Sequence, residues 1–363
     1  MLAAVAVLGV LASCVPERGA ETPAVRPAEP RSVIDASLPR GLSDRAGWSA
    51  DLISGFNALG IDPNRENVCA VVAVIEQESG FHVDPLIPGL GEIAWHEIDA
   101  RAQRALLPKA LVHSVLQLKS VTGRSYSDRI DRARTERELS DIYEDFIAAV
   151  PLGRTLFADA NPIRTRGPMQ VNVAFAQSFS ARKPYPYAVK TSIADEVFTR
   201  RGSLYFGIAH LLDYPAAYER RLYRFADYNA GQYASRNAAF QSAVAGLTGT
   251  TLAQDGALLA HDSDPFKPGD TEAAVRMLAK RFNLSDSAIR SDLEQAKTAE
   301  FEKTALYRKV FAAADAAAGH PAPRAMLPQI ELHSPKITRK LSTAWYAKRV
   351  DERYGRCLGA SGV

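Results

Sequence analysis

Val71-Val72-Ala73-Val74-Ile75-Glu76-Gln77-Glu78-Ser79-Gly80-Phe81 is the stretch around which the chain is organised. It predicts a helix that ends in a carboxylate, a serine, a glycine and an aromatic residue. Asp62 and Pro63 supply the start, because a capping side chain followed by proline is typical of a first helical turn. Residues 68–75 are apolar around most of the circumference, so the helix is expected to be buried. Gly80 then ends it.

Glu78 is the residue of this stretch with the clearest chemical potential. Its three- and four-residue spacing places it on the same helical face as Val71, Val74 and Ile75, whereas Glu76 points away. Burial and the negative end of the helix dipole both disfavour a charged carboxylate, so the pKa of Glu78 is expected to rise. A raised pKa is what a general acid requires near neutral pH. The alternative is a solvated carboxylate near a helix end.

The composition is that of a soluble globular protein. The 363 residues are 47% hydrophobic and 23% charged, which allows a sizeable core and more than one small domain. The formal net charge of +3 gives no reason to expect a nucleic-acid partner, and it would not repel an anionic wall polymer.

The N-terminus predicts export and lipidation. Residues 1–13 form an apolar run that is too short to span a bilayer and is therefore expected to be a signal peptide. Its end, Leu11-Ala12-Ser13-Cys14, resembles the lipobox of bacterial lipoproteins, in which the new N-terminal cysteine carries the lipid. Val15 favours an outer-membrane anchor on the periplasmic side. The alternative is a chance cysteine in an apolar leader. Residues 14–42 are predicted to be a flexible tether, because Pro, Glu, Arg and Ala predominate after the cysteine.

Two cysteines remain once Cys14 is assigned to lipid. An exported protein meets an oxidising environment, so Cys69 and Cys357 are predicted to form a disulfide that ties the end of the chain to the helix carrying Glu78. Two buried free thiols are the alternative, because Cys69 also suits an apolar helix.

Helical periodicity dominates the rest of the chain, and the predicted fold class is mainly α. Residues 43–246 are expected to form one domain that contains a helical insertion at 92–150, and residues 247–363 a helical C-terminal extension. At most one short hairpin is expected, near 82–94 or 157–172.

Three separated motifs carry a family resemblance. Glu78-Ser79-Gly80-Phe81 resembles the catalytic corner of soluble-lytic-transglycosylase-type domains, which are lysozyme-like enzymes that cleave peptidoglycan. Gly167-Pro168-Met169-Gln170-Val171 is similar to their Gly-Leu-Met-Gln stretch, and Tyr228-Asn229-Ala230-Gly231 to their Tyr-Asn-Ala-Gly signature. Gly207-Ile208-Ala209-His210-Leu211 is a weaker match to a helix of the same family. The motifs occur in the family's order across residues 43–246.

The resemblance implies a lytic transglycosylase, that is, a lyase of the cell wall acting on peptidoglycan glycan strands. Glu78 would protonate the leaving oxygen of the MurNAc-β-1,4-GlcNAc bond and then act as base towards the sugar's own 6-hydroxyl, which gives 1,6-anhydromuramic ends. The resemblance also implies five substrate-binding residues: Ser79, Met169, Gln170, Tyr228 and Asn229. No cofactor and no metal are expected, because metal-ligand spacings and nucleotide-binding fingerprints are lacking.

Two departures from the family pattern leave alternatives open. Gln170 follows Glu78 by 92 residues, so the intervening helices are expected to form a wall or lid of the cleft, and Gln232-Tyr233 stands where the family commonly has Pro-Gly. A lysozyme-type muramidase would need a second carboxylate, for which the candidates are Asp84, Glu92 and Asp159. A non-catalytic peptidoglycan-binding lipoprotein is the other alternative.

Overall fold

The structure is a computed structural model, and it describes residues 30–152, 155, 160–260, 267–332 and 339–360. The predicted signal peptide, Cys14 and the candidate carboxylate Asp159 lie outside the described residues. The described chain is mainly helical, as the sequence predicts, with two short antiparallel strand pairs.

The first core is built around the quoted stretch. Three helices come first in the chain, α1 (Pro30–Ser37), α2 (Arg45–Leu59) and α3 (Arg65–Glu78). Helix α3 begins later than predicted, because the side chain of Asn64 rather than Asp62 accepts the capping hydrogen bond, from the backbone N–H of Asn67 at 2.9 Å. Its residues from Val68 to Ile75 are all buried, which explains why the apolar pattern has no polar face.

Part of the predicted tether is folded. Residues 30–37 form α1, which packs on α2 and α3. Ile34 and Leu38 are buried in the first core, and Val33 and Leu42 pack against it. The tether prediction is therefore wrong for residues 30–42: these few apolar residues recur at helical spacing and bury one face, although the overall composition resembles a linker.

The insertion has a small core of its own. Its four helices are α4 (Leu90–Arg104), α5 (Lys109–Leu116), α6 (Tyr126–Arg132) and α7 (Glu136–Ala149). Tyr126, Ile130 and Ile142 are buried between them. Helix α7 starts with a reciprocal capping box between Thr135 and Glu138.

The first of the two strand pairs follows the insertion. Strands β1 (Thr165–Arg166) and β2 (Val171–Asn172) pair antiparallel, within the second of the two predicted hairpin regions. Met169 lies in the connecting turn, and its side chain is fully buried against Gly207. A Cβ atom at position 207 would collide with the Met169 sulfur, so glycine is required for this close approach.

Five further helices complete the sequence of elements up to residue 248: α8 (Val173–Arg182), α9 (Ile193–Glu196), α10 (Arg200–Leu212), α11 (Arg221–Ala230) and α12 (Ala234–Thr248). Helix α10 is buried along most of its length and packs on α2. Asp227 of α11 is buried and accepts hydrogen bonds from Tyr218 Oη at 2.6 Å and Tyr214 Oη at 3.0 Å, which fixes the loop between α10 and α11.

A second core occupies the C-terminal third. Its helices are α13 (Asp270–Met277), α14 (Ala279–Phe282), α15 (Asp286–Glu294) and α16 (Ala305–Ala318), with two 3₁₀ turns between the last two. Phe240 of α12 stacks among Phe301, Tyr307 and Phe311, so α12 connects the two cores. Glu272 is fully buried and is paired by Arg276 at 2.6 Å and Arg290 at 2.8 Å.

The last helix returns to the first core. After a short strand pair, β3 (Glu331–Leu332) with β4 (Leu341–Ser342), helix α17 (Thr343–Ala360) packs antiparallel along α3 and against α11. Its residues Tyr346, Ala347 and Val350 belong to the first core. The predicted extension 247–363 is therefore not a single unit, because the apolar face of α17 is buried next to Glu78.

Cys69 and Cys357 form a disulfide, and their Cα atoms are 5.6 Å apart. Of the two alternatives that the sequence left open, a disulfide or two free thiols, the structure has the disulfide. Arg353 and Arg356 on the same face of α17 approach Glu76 at 3.3 and 3.1 Å.

None of the described helices combines the length and the apolar character needed to cross a membrane.

Candidate functional site

Glu78 is the last residue of α3 and lies where α3, α7, α11 and α17 meet. Its Oε1 accepts a short hydrogen bond from the hydroxyl of Tyr346 on α17. Ser79 caps the helix, and Gly80 and Phe81 then follow in left-handed conformations with φ of 58° and 67°. Phe81 packs edge-on against Trp48 at a centroid distance of 5.1 Å, so the turn that presents Glu78 is anchored in the core.

The environment moves the pKa of Glu78 into the neutral range. Burial is the largest cause and raises the pKa of Glu78 from 4.5 to about 7. The Tyr346 hydroxyl favours the charged form and opposes this rise, whereas the nearby charge of Glu136 adds to it. The rise predicted from the sequence for a carboxylate at the end of a buried helix agrees in direction with this result.

Tyr228 lies close to Glu78 without bonding to it. Burial and the negative charge of Glu78 raise the pKa of the Tyr228 hydroxyl, which donates a 2.7 Å hydrogen bond to the backbone carbonyl of Met169. The same two causes raise the pKa of Tyr346. Tyr228 therefore joins the turn of the β1–β2 hairpin to α11 beside the acid, and Tyr346 contacts the acid from α17.

Gln170 connects the hairpin to the insertion. Its side-chain carbonyl accepts from Thr165 Oγ1 at 2.8 Å, and its Nε2 donates to Glu136 Oε2 at 3.0 Å. Gln170 is half-buried and adopts a left-handed backbone with φ of 48°. The motif glutamine thus holds the carboxylate of Glu136, the first residue of α7, on the side of the site that faces Glu78.

The remaining predicted site residues have different environments. The side-chain carbonyl of Asn229, which is exposed at the end of α11, accepts a 2.7 Å hydrogen bond from Thr343. Ser79 donates to the carbonyl of Ile75 at 3.3 Å and not to Glu78. The prediction that Met169 contacts substrate is wrong for its side chain, which is fully buried under Gly207 because the hairpin turn points it into the core.

Glu136 is the second carboxylate of the site, and the sequence candidates did not include it. Of those candidates, Glu92 is exposed on α4 and Asp84 lies beside Thr135 and Glu136, where burial raises its pKa. Glu136 is about nine-tenths buried and is the carboxylate whose charge acts on Glu78. The capping-box pattern at Thr135 and Glu138 indicates in the sequence that a helix starts there. Nothing in the sequence indicates that this helix start lies near Glu78.

Tyr346 was also missed, although its position was readable in principle. Glu78 follows Cys69 by nine residues, and Tyr346 precedes Cys357 by eleven. In an antiparallel helix pair that is clamped by the disulfide, these two offsets place both residues about three turns from the clamp. The disulfide therefore brings this part of α17 level with Glu78, whereas the packing of α17 decides that Tyr346 faces the acid.

Among the described residues, no group of three or more His, Cys, Asp or Glu side chains is placed so that it could hold a metal ion. His210 packs between Phe175 and Tyr228, and burial lowers its pKa to about 4, so its imidazole is neutral beside the site.

Comparison with known proteins assigns the chain to a family. The family model described as "Protein of unknown function (DUF1615)" matches residues 41–360. The chain belongs to the DUF1615 family. It is also 52% identical to the "Uncharacterized protein YaiW" of Escherichia coli (strain K12), over 327 residues that cover 90% of this chain and 89% of that protein. No solved structure matches the chain.

The DUF1615 assignment corrects the family resemblance drawn from the motifs. The match covers almost the whole described chain, and the matching family is not a transglycosylase or lysozyme-like one. The prediction of membership in the soluble-lytic-transglycosylase-type family is therefore wrong. Short motifs of three to five residues mislead in this way because helix ends and glycine turns reuse the same residues for structural reasons.

Stability measurements test the environment of Glu78 without reference to function. Because the folded-state pKa of Glu78 is about 7 and its ordinary value is 4.5, wild type loses stability as pH rises through this interval, whereas Glu78→Gln does not. Relative to wild type, the free energy of unfolding of Glu78→Gln is expected to rise by at most about 3 kcal/mol between pH 4.5 and pH 8. Urea unfolding at both pH values measures the difference.

Glu92→Gln is the matched control, because Glu92 is exposed and is expected to show no such pH-dependent difference. Parallel pH–stability curves for wild type and Glu78→Gln would contradict the assigned environment.

Proposed function

We propose that the chain is a lytic transglycosylase that cleaves the MurNAc-β-1,4-GlcNAc bond of peptidoglycan, with Glu78 as general acid and then general base. The observation that carries the proposal is the half-buried Glu78 at the end of α3, whose pKa is raised to about 7 and whose carboxylate is held by Tyr346. The proposal rests on this geometry and not on family membership.

The chemistry begins with a proton on Glu78. As the glycosidic bond breaks, the acid passes this proton to the leaving oxygen, and charge develops on the sugar ring. The resulting carboxylate then takes the proton of the sugar's 6-hydroxyl while that oxygen bonds to the anomeric carbon. The acid is regenerated, no water is consumed, and the product carries a 1,6-anhydro end.

The tyrosine hydroxyl suits both halves of this cycle. Tyr346 donates to the carboxylate, so it holds Glu78 in one orientation and stabilises the charged state that exists between the two proton transfers. Burial has the opposite effect and keeps the proton on Glu78 beforehand. A carboxyl group balanced between these two influences near pH 7 can serve as acid and as base.

Substrate contacts are proposed for the polar residues around the acid. Gln170 and Asn229 flank Glu78 on the hairpin and on α11, and both are at least partly exposed. Tyr228 is proposed to position the hairpin turn, because its hydroxyl is committed to the Met169 carbonyl. Ser79 is half-buried at the helix end and can offer its hydroxyl to a sugar.

A lysozyme-like arrangement of residues 43–246 belongs to the same proposal. An acid at the end of a buried helix, a short hairpin beside it and an otherwise helical domain support it. A periplasmic location with a lipid anchor at Cys14 in the outer membrane is likewise proposed, from the lipobox-like sequence. Peptidoglycan glycan strands are the proposed partner.

Glu136 favours one competing function, a muramidase that hydrolyses the same bond. Hydrolysis needs a second carboxylate to activate water or to bond the sugar, and Glu136 is the carboxylate that acts electrostatically on Glu78. Gln170 holds it in place at 3.0 Å. The two functions share the acid and differ only in the nucleophile.

Digestion of purified sacculi by the full chain tests the proposal. Mass spectrometry of the soluble muropeptides should find 1,6-anhydromuramic ends. Reducing ends would identify the muramidase instead, and binding to sacculi without any product would identify a non-catalytic wall-binding protein.

Two substitutions are expected to move the pH dependence of cleavage in opposite directions. Rates should fall above about pH 7 in wild type as Glu78 loses its proton. Glu136→Gln removes a like charge and keeps an acceptor for Gln170, so the alkaline limb should move to lower pH. Tyr346→Phe removes a hydrogen bond to the charged form of Glu78, so the alkaline limb should move to higher pH. Initial rates between pH 5 and 9 measure both shifts.

Tyr354→Phe is the control for the tyrosine, because Tyr354 lies on α17 and packs on Phe225 without bonding to Glu78. Shifts of the same sign in Glu136→Gln and Tyr346→Phe would refute the assignment of the two contacts.

A further inference from the structure

A large cavity lies within the insertion. It has a volume of about 850 Å³ and is bounded by α4, α5, α6, α7 and the segment 162–165. This volume is within the range of about 300–1,000 Å³ that is usual for small-molecule sites. The walls are mainly aliphatic and aromatic side chains, among them Ile93, Ile98, Val112, Leu139, Ile142 and Phe146.

The small core around the cavity is incompletely packed. Ile98, Leu139 and Phe146 are only partly buried, in contrast to the fully buried apolar residues of α3. In the described chain, all but two of the exposed large apolar side chains lie between residues 86 and 152. Leu107 and Leu111 both line the cavity and are about half exposed, so the apolar surface continues to the mouth. Apolar surface concentrated in this way marks a binding site more often than a solvent face.

The polar groups of the lining decide which ligand would fit. Arg101 is engaged by Glu97 at 2.7 Å and by the carbonyl of Ala160 at 3.1 Å, and Glu136 accepts from Gln170. Arg164 also lines the cavity, is exposed, and has no side-chain hydrogen bond or ion pair with the described residues. A carbohydrate or a nucleotide would leave many polar groups unpaired against these walls.

We propose that this cavity binds an amphiphile of the fatty-acid class, with one long alkyl chain and an anionic head group. The alkyl chain lies against the walls formed by α4 to α7, and the head group pairs with Arg164 at the rim. Glu78 does not line the cavity, although Glu136 borders both the cavity and the candidate functional site. The proposal does not depend on glycan cleavage.

Calorimetric titration of the full chain in detergent-free buffer with dodecanoate, below its micelle concentration, tests the proposal. Saturable binding is expected, and decanoate should bind roughly tenfold more weakly because two methylenes fewer are buried. Dodecyltrimethylammonium has the same tail and the opposite charge and should bind more weakly than dodecanoate. Arg164→Gln should weaken dodecanoate binding by roughly threefold and leave the cationic amphiphile unaffected.

Cavity-filling variants locate the bound chain. Leu139→Trp and Ile98→Trp each place an indole in the cavity and should abolish binding while the far-ultraviolet circular dichroism is retained. Met277→Trp is the matched control, because Met277 is an exposed apolar residue at the end of α13 and does not line the cavity. Two tryptophan variants are used so that the test still works if one of them does not fold.

Four results would overturn the proposal. The first is the absence of saturable dodecanoate binding, and the second is equal binding by wild type and both folded tryptophan variants. The third is a dimer that forms without ligand in sedimentation and that Leu111→Ser dissociates. The fourth is binding to phosphatidylglycerol vesicles without binding of soluble dodecanoate. The third would assign the apolar surface to a second copy of the chain and the fourth to a membrane.

Discussion

The Glu78→Gln protein is expected to release soluble muropeptides from purified sacculi at least about 100-fold more slowly than wild type, because a positioned general acid contributes about 10² to 10⁴ in rate. Glutamine is close in size to glutamate and can still accept the hydrogen bond from Tyr346, so the fold around α3 should be preserved. It cannot deliver a proton to the leaving oxygen. The loss should therefore appear in the rate and not in binding to sacculi.

The same assay contains its controls. Glu92→Gln makes an identical chemical change at an exposed carboxylate of α4 and should retain wild-type rates. Co-sedimentation with sacculi reports whether Glu78→Gln still binds the polymer. If Glu78→Gln released muropeptides as fast as wild type, Glu78 could not be the acid, and the proposed function would lose the observation that carries it.

Cys357→Ser is expected to lower the free energy of unfolding by about 4 kcal/mol, because the Cys69–Cys357 disulfide closes a loop with a sequence separation of 288 residues. The disulfide joins the buried start of α3 to the end of α17. Its loss frees the last helix to separate from the first core, although Tyr346 and Val350 still favour packing there. Urea unfolding under oxidising conditions measures the difference.

Local and global effects of the disulfide can be separated. Cys69→Ala/Cys357→Ala is the reference, since dithiothreitol should destabilise wild type and leave this double variant unchanged. If α17 separates from α3 along its whole length, the Tyr346–Glu78 contact is lost, so reduced wild type should show the alkaline shift in pH dependence predicted for Tyr346→Phe. Equal stability of oxidised and reduced wild type would contradict the prediction.

Sequence reasoning succeeded where a single segment carries enough apolar surface to fix its own environment. Residues 68–75 of α3 are apolar on all sides, so their burial and the raised pKa of Glu78 follow from local periodicity and the position of Gly80. It failed for residues 30–42, where a composition typical of a linker contains one apolar face that the core recruits. It also failed for Met169, because a methionine that lines a cleft and a methionine that is buried in the core look the same in the sequence.

By itself, the sequence determined that the chain is mainly helical, that α3 is buried and that it ends in a carboxylate suited to hold a proton. Only the tertiary structure decided what surrounds that carboxylate. Glu136 and Tyr346 are 58 and 268 residues from Glu78 in the chain, and they reach it through the packing of α7 and α17. Helical periodicity specifies which face of a segment is buried, but the partner of that face depends on the combined shape of all the other helices.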